Sequence, residues 1–354
     1  MECVLQGNSS TQKKRYAVFD NLKFLLIVFV VLGHLSDQCI GVINNKSSDA
    51  LQWYKTIYLF IYAFHMPLFL FISGLFQNRS AKKLNKNSII FYIIMGFFLK
   101  MLITVSKLLF IPEETRPFSL LDQSGSYWFL FVLAGYKVLC YFIKDINHIL
   151  IILFSVLMAL FVGYDSNTGD WLYLSRFIVF FPFYYFGFIL KPEQVINFCS
   201  KIYIRIFSVI IIGVWMWFCI FDTDFVYPLR GLFTGRNSYS NIASIENCSM
   251  MHRALAMLIS ILLCLAFISI SINKKIPYIT KLGNRTLQVY FWHQFFIYLI
   301  MYLGIYKLFM HYFPNSWWIA SMFIGVLLTL ILSIPIFGNP ISWVENSIKK
   351  KQAN

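Results

Sequence analysis

Apolar residues fall along this chain in blocks close to the length that a bilayer demands, separated by short polar segments that carry most of the charge. A helix of about 20 residues crosses a hydrocarbon core roughly 30 Å thick. Blocks near that length occur at 18–37, 57–77, 88–110, 127–144, 148–163, 174–190, 203–221, 251–272, 286–307 and 315–337, the fifth and sixth being the shortest. The pattern predicts an all-α polytopic membrane bundle of ten transmembrane helices. Ten is even, so the two termini are expected on one side.

The distribution of Lys and Arg tests that alternation, because loops on the cytoplasmic side carry the excess. Lys13, Lys14, Arg15, Arg79, Lys82, Lys83, Lys86, Lys144, Lys191, Lys201, Arg205, Lys274, Lys275, Lys281, Arg285 and Lys349 to Lys351 fall on one side, 18 in all. The other side has Lys46, Lys55, Arg116, Arg230, Arg236 and Arg253, which is 6. Both termini are therefore expected in the cytoplasm, and one missed or invented span would have broken the alternation from that point on. The organisation expected is a single domain over 1–354: a cytoplasmic segment 1–17, a ten-span bundle 18–337 and a basic cytoplasmic tail 338–354, with no appended soluble domain and no cleaved signal peptide.

Composition agrees with the blocks. The chain is 59% hydrophobic and 13% charged, against about 25% charged in a soluble domain. Its net charge of +15 is assigned to loops facing anionic lipid rather than to nucleic acid. Seven cysteines are scattered with no CxxC and no metal-ligand spacing, so neither a disulfide framework nor a metal site is expected. No internal repeat is evident, which weighs against a secondary transporter, the alternative reading for polar groups inside such a bundle.

Ionisable residues inside the blocks are the candidates for chemistry, since each costs roughly 2.5–3.5 kcal/mol to insert at a helix centre. Lys23 and His34 stand eleven positions apart in DNLKFLLIVFVVLGHL. That spacing puts them on one helix stripe about 16 Å apart. The plainer reading pairs Lys23 with Asp20 at i,i+3 and leaves His34 capping the helix near the far interface. In FHMPLFLFISGLF, His65 falls in the same half of the bilayer as His34, and Pro67 frees a backbone carbonyl that another group must satisfy. Arg79, Lys82 and Lys83 follow at the cytoplasmic face, as ordinary anchors or as a cradle for a phosphate-bearing ligand. His293 lies about two turns into the ninth block, and Arg176 opens the sixth. The polar, aromatic segment 221–250 is the natural place to hold an outside ligand, with Asp222, Arg230 and Arg236 as contacts. There is no GxSxG, Walker or HExxH sequence, which argues against water-soluble hydrolase or ATPase chemistry.

Five stretches in order, RYAVFDNLKFLLIVFVVLGHL, FHMPLFLFISG, YWFLFVL, FFPFYYFGFIL and GNRTLQVYFWHQ, resemble integral-membrane acyltransferase family 3. Within that family the chain looks most like the fucose 4-O-acetylase-like branch of bacterial glycan O-acetyltransferases. The resemblance covers nearly the whole length. It implies an O-acetyltransferase of the inner membrane that takes acetyl from cytoplasmic acetyl-CoA, an acyl-donor co-substrate, and delivers it to an extracytoplasmic glycan or lipid-linked oligosaccharide, with no metal. The family's basic-residue-to-histidine motif falls on Lys23 and His34. Its arginine-x-x-arginine motif falls on Arg79 and Lys82, and the lysine keeps the charge but loses the planar fork. On this reading His34, Lys23 and His65 are catalytic, with His34 as general base or as carrier of a transient acyl group. Arg79, Lys82, Lys83 and His293 bind the donor, while Arg176, Asp222 and Arg236 bind the acceptor.

Overall fold

The computed structural model describes residues 15–43, 48–80, 82–112, 119 and 125–353. Lys13, Lys14, Lys46, Arg116 and Cys3 lie outside the described residues, as does the side chain of Lys351. The described chain is helical throughout, apart from short 3₁₀ turns and loops. In order the helices are α1 (Ala17–Val42), α2 (Asp49–Tyr62), α3 (His65–Leu75), α4 (Lys86–Phe110), α5 (Trp128–Ile143) and α6 (His148–Phe161). Then come α7 (Leu174–Ile189), α8 (Pro192–Cys199), α9 (Ile202–Phe221), α10 (Thr223–Val226), α11 (Arg230–Phe233) and α12 (Met250–Ile270). The chain closes with α13 (Ile279–Leu282), α14 (Thr286–Tyr302), α15 (Ile305–Tyr312), α16 (Trp317–Leu332) and α17 (Asn339–Ala353).

Each of the ten apolar blocks contains a helix, but length divides them. Among the described residues, α1, α2 with α3, α4, α9 and α12 are long and apolar enough to cross a membrane. Three bent pairs raise that number to eight if each is one span: α7 with α8 at 95°, α14 with α15 at 57°, and α16 with 335–350 at 69°. Helices α5 and α6 are shorter, at 16 and 14 residues, or roughly 20–25 Å of rise. The sequence read 338–354 as a tail; residues 339–353 instead form α17, which packs against the start of α4. Exposed apolar side chains such as Ile206, Val209, Ile210 and Val214 on α9 form the contiguous surface that a lipid-facing helix needs.

The second block, expected as one bent helix, is two helices joined at Ala63 and Phe64. Pro67 is the third residue of α3, in its first turn, where a missing N–H costs little. The carbonyl four residues earlier, on Ala63, receives the Ser260 hydroxyl from α12 at 2.5 Å. Ile61, near the end of α2, receives the His65 ring nitrogen Nδ1 at 2.8 Å. A side chain from a neighbouring helix thus takes up the carbonyl that Pro67 frees, as backbone inside a bilayer requires, while the Ile61 carbonyl also accepts from the Phe64 N–H at 3.3 Å. Similar bridges tie Thr56 to the Cys219 carbonyl and Ser269 to the Cys199 carbonyl, both at 2.8 Å.

Helix α1 runs through the bundle in contact with α2, α3, α12, α13, α14 and α16. Asn21 anchors its first turns, donating at 2.9 Å to the carbonyls of both Ile272 and Lys274 and accepting from Thr280 at 2.6 Å. Gly283 lies directly on the Asp20 carbonyl, where a Cβ would overlap it. The closest crossing is between α3 and α7: a Cβ on Gly74 would overlap the Tyr184 carbonyl, and one on Gly187 the Phe71 carbonyl. Small residues allow this approach, and dispersion between the two backbones rewards it. Gly74→Val or Gly187→Val forces the helices apart at a cost of about 1–3 kcal/mol, seen as a lower unfolding temperature in detergent. Gly213→Ala, inside α9 where a Cβ meets nothing within 4 Å, does not lower that temperature, since alanine is the better helix former.

Candidate active site

The polar residues of α1 sort to its two ends. At the start, Lys23 Nζ pairs with Asp20 at 2.7 Å, so the i,i+3 ion pair read from the sequence forms. Lys23 also lines a small cavity of about 150 Å³, together with Ser73, Tyr92 and Thr286. Toward the other end, His34 lines a larger cavity of about 710 Å³ with His65, Tyr58, Tyr62, Trp128, Arg176, Tyr290 and Gln294. Val30, Met66 and Tyr290 wall both cavities. The Lys23 and His34 cavities are therefore neighbours, with these three side chains between them. A third cavity, about 540 Å³ and lined by Asn85, Ser88, Arg285, Gln288 and Lys349, shares Leu287 with that of Lys23.

Three histidines from three helices meet at the His34 end. The His34 ring centroid is 5.1 Å from that of His293 and 6.3 Å from that of Tyr62, which is 4.8 Å from His65. A carbonyl can only accept, so the bond from His65 Nδ1 to Ile61 fixes the hydrogen on Nδ1 and the lone pair on Nε2. His293 is fixed in the same sense by the Tyr290 carbonyl at 2.7 Å, and its Nε2 is buried with no protein hydrogen-bond partner. His34 differs: its Nδ1 faces the Gln294 amide at 3.5 Å, and Ser126 donates to that amide's oxygen at 2.9 Å. An amide and a hydroxyl can each exchange donor for acceptor, so this chain serves either neutral tautomer of His34 and its doubly protonated form. The Tyr290 hydroxyl in turn holds the Ser126 carbonyl.

The connection between α9 and α12 covers the mouth. Arg230, Arg236 and Asp224 from this segment line the cavity, whereas Asp222 is exposed at the end of α9 and does not. Arg236 pairs with Asp170 at 2.7 Å, and Arg176 Nη1 stands 3.6 Å from the same carboxylate. Arg230 donates to the Tyr227 hydroxyl at 2.6 Å and lies 5.3 Å from the Tyr58 ring centroid.

The remaining basic candidates lie elsewhere. Arg79 donates to the Ile189 carbonyl at the end of α7; Lys82 and Lys83 are exposed, and Tyr141 holds the Lys82 carbonyl at 3.2 Å. None of the three lines the cavities described above. His293, grouped with the donor contacts in the sequence, packs against His34. Sequence reasoning missed Gln294, Ser126 and the paired Tyr58 and Tyr62, whose rings stack 3.8 Å apart. The signal for Gln294 was its place beside His293 in WHQ, and for Tyr58 and Tyr62 their i, i+4 and i+7 spacing with His65; Ser126 carried none, because its role arises from contacts between distant helices.

The arrangement supplies proton-transfer groups in a partly enclosed polar cavity that adjoins the smaller one at Lys23. A profile described as an acyltransferase domain matches residues 16–337. The Nodulation protein NolL of Mesorhizobium japonicum is 27% identical over 181 residues, 48% of this chain and 46% of that protein. The Nodulation protein NolL of Sinorhizobium fredii is 31% identical over 139 residues, 36% of this chain and 37% of that protein. The chain thus spans less than half the length of these relatives, and no solved structure matches it. With a match running from the residue before α1 to the turn after α16, the chain belongs to acyltransferase family 3, a family of membrane acyltransferases.

Proposed function

We propose that this membrane acyltransferase moves an acetyl group from cytoplasmic acetyl-CoA to a hydroxyl of an extracytoplasmic glycan or lipid-linked oligosaccharide, from the inner membrane and with both termini in the cytoplasm. The observation that carries the reading is the pair of adjoining cavities, which share Val30, Met66 and Tyr290 and run from Lys23 to His34. The donor is charged and bulky at one end and a thin arm at the other. Its phosphates meet the basic end of the bundle, where Lys82 and Lys83 are exposed and Arg285 lines the 540 Å³ cavity; Arg79 holds the end of α7 in place beside them. The arm then passes Lys23 and presents the thioester at His34.

In the transfer, His34 takes the proton of the acceptor hydroxyl as its oxygen attacks the thioester carbonyl. The tetrahedral intermediate collapses with cleavage of the carbon–sulfur bond, and the departing thiolate takes the proton back from the imidazolium. For Nε2 of His34 to take that proton, Nδ1 must already carry one, so the Gln294 amide presents its oxygen to Nδ1 and its nitrogen to the Ser126 hydroxyl throughout the transfer. His65, held by the Ile61 carbonyl, directs Nε2 as an acceptor for the glycan hydroxyl. Arg176 and Arg236 hold the acceptor under the segment between α9 and α12.

Removing a general base costs about 10²–10⁴ in rate. His34→Ala should therefore reduce transfer of radiolabelled acetyl from acetyl-CoA to surface glycan by that factor at equal expression; full labelling by the variant would exclude His34 from the chemistry. Gln294→Leu should lower kcat about tenfold or more, the worth of a lost hydrogen bond to a charged group, with KM for acetyl-CoA unchanged. Gln294→Glu, which keeps an acceptor, should retain more activity than the leucine variant. Reporter fusions at the two ends should both score as cytoplasmic, and an exterior signal from either would reverse the topology.

A further inference from the structure

The electrostatics of the His34 cavity exceed what transfer to a neutral hydroxyl requires. Lys107, Arg176, Arg230 and Arg236 line it, against the carboxylates of Asp37 and Asp224. Arg176 is the exceptional member. It is 8% exposed, its Nε donates to the Thr234 carbonyl at 3.4 Å, and its guanidinium carbon lies 5.1 Å from the Trp128 ring centroid. Its Nη1 is buried with no hydrogen-bond partner. The nearest carboxylate, Asp170, is 3.6 Å away, and its Oδ1 is likewise buried without a hydrogen bond. Asp170 is drawn instead to Arg236, at 2.7 Å from its other oxygen.

Arg176 Nη1 thus meets Asp170 only as an ion pair at 3.6 Å, beyond hydrogen-bond reach, and an anionic oxygen entering the cavity would supply the shorter charge-assisted bonds that a planar fork makes strong and directional. On the same cavity wall, the stacked Tyr58 and Tyr62 rings offer apolar faces suited to a sugar ring. We propose that the acceptor is anionic, with a carboxylate or phosphate that docks on Arg176 while its sugar packs on the tyrosines, so that one of its hydroxyls reaches His34. This rests on the acyltransferase reading of that cavity and adds to it the chemical class of the acceptor.

The test uses the full-length protein in nanodiscs and follows its unfolding temperature with millimolar glucuronate, glucose 1-phosphate or glucose. At least one anionic sugar should stabilise the wild type where glucose does not. A response to glucuronate alone identifies a sugar carboxylate as the recognised group, and a response to glucose 1-phosphate alone identifies a phosphate, as on a sugar phosphate or lipid carrier. Arg176→Gln should weaken the apparent affinity roughly 10- to 100-fold, the range for hydrogen bonds to charged groups. Arg176→Lys should recover part of it, and Arg205→Gln, an exposed charge on α9, should change nothing. Equal stabilisation by glucose, no stabilisation by either anion, or an undiminished response in Arg176→Gln when that variant unfolds at the wild-type temperature without sugar would overturn the proposal. Release of CoA from acetyl-CoA by the wild type tests the underlying reading separately, since an anion site can persist in a protein that fails that assay.

Discussion

A backbone carbonyl freed inside a bilayer has no water to turn to, and the site depends on how this chain meets that constraint where α2 breaks into α3. Pro67 removes a donor, Ser260 supplies one to Ala63, and His65 supplies another to Ile61. The second bond does more than satisfy the backbone. It fixes the tautomer of His65 and leaves its other nitrogen available, and Tyr58, Tyr62 and His65, spaced i, i+4 and i+7 on one helical stripe, all line a single cavity.

The close crossing of α3 and α7 extends this arrangement sideways. Because Gly74 and Gly187 let the two backbones touch, α7 is held firmly against α3, and Arg176 near its start lines the cavity into which α3 sends His65. The polar load of the bundle is thereby divided. Asp20 and Lys23 neutralise each other at one end, Arg176, Arg236 and Asp170 form a network at the other, and apolar and aromatic walls including Val30, Met66 and Tyr290 separate them. Each charge that costs free energy on insertion lies beside a counter-charge, an aromatic ring or a cavity wall.

Burial by itself does not mark the reacting group. His293 is fully buried and tied to its own helix, whereas His34 and His65 border open volume. His34 alone of the three is held by a side chain, and an amide can reverse its role where a carbonyl cannot. That contrast in chemistry favours His34 as the group that gains and loses a proton.

By itself the sequence determined the helical class, the positions of the ten apolar blocks and the pairing of Asp20 with Lys23, because the length of apolar runs and the 3.6-residue period are local properties. It also put Lys23 and His34 on one stripe, since a helix fixes the direction of residues eleven apart. Tertiary structure decided the rest. The single second block became two helices because a carbonyl partner from α12 made the break affordable, and residues 339–353 became a helix because α4 gave it a surface. Asp224 rather than Asp222 lines the cavity, a difference of two residues that turns on how the segment after α9 folds. Gln294 and Ser126 stand 168 positions apart, and their bond, like the one from Gln294 to His34, exists only once α1, α5 and α14 have packed together, so no local pattern could have announced it.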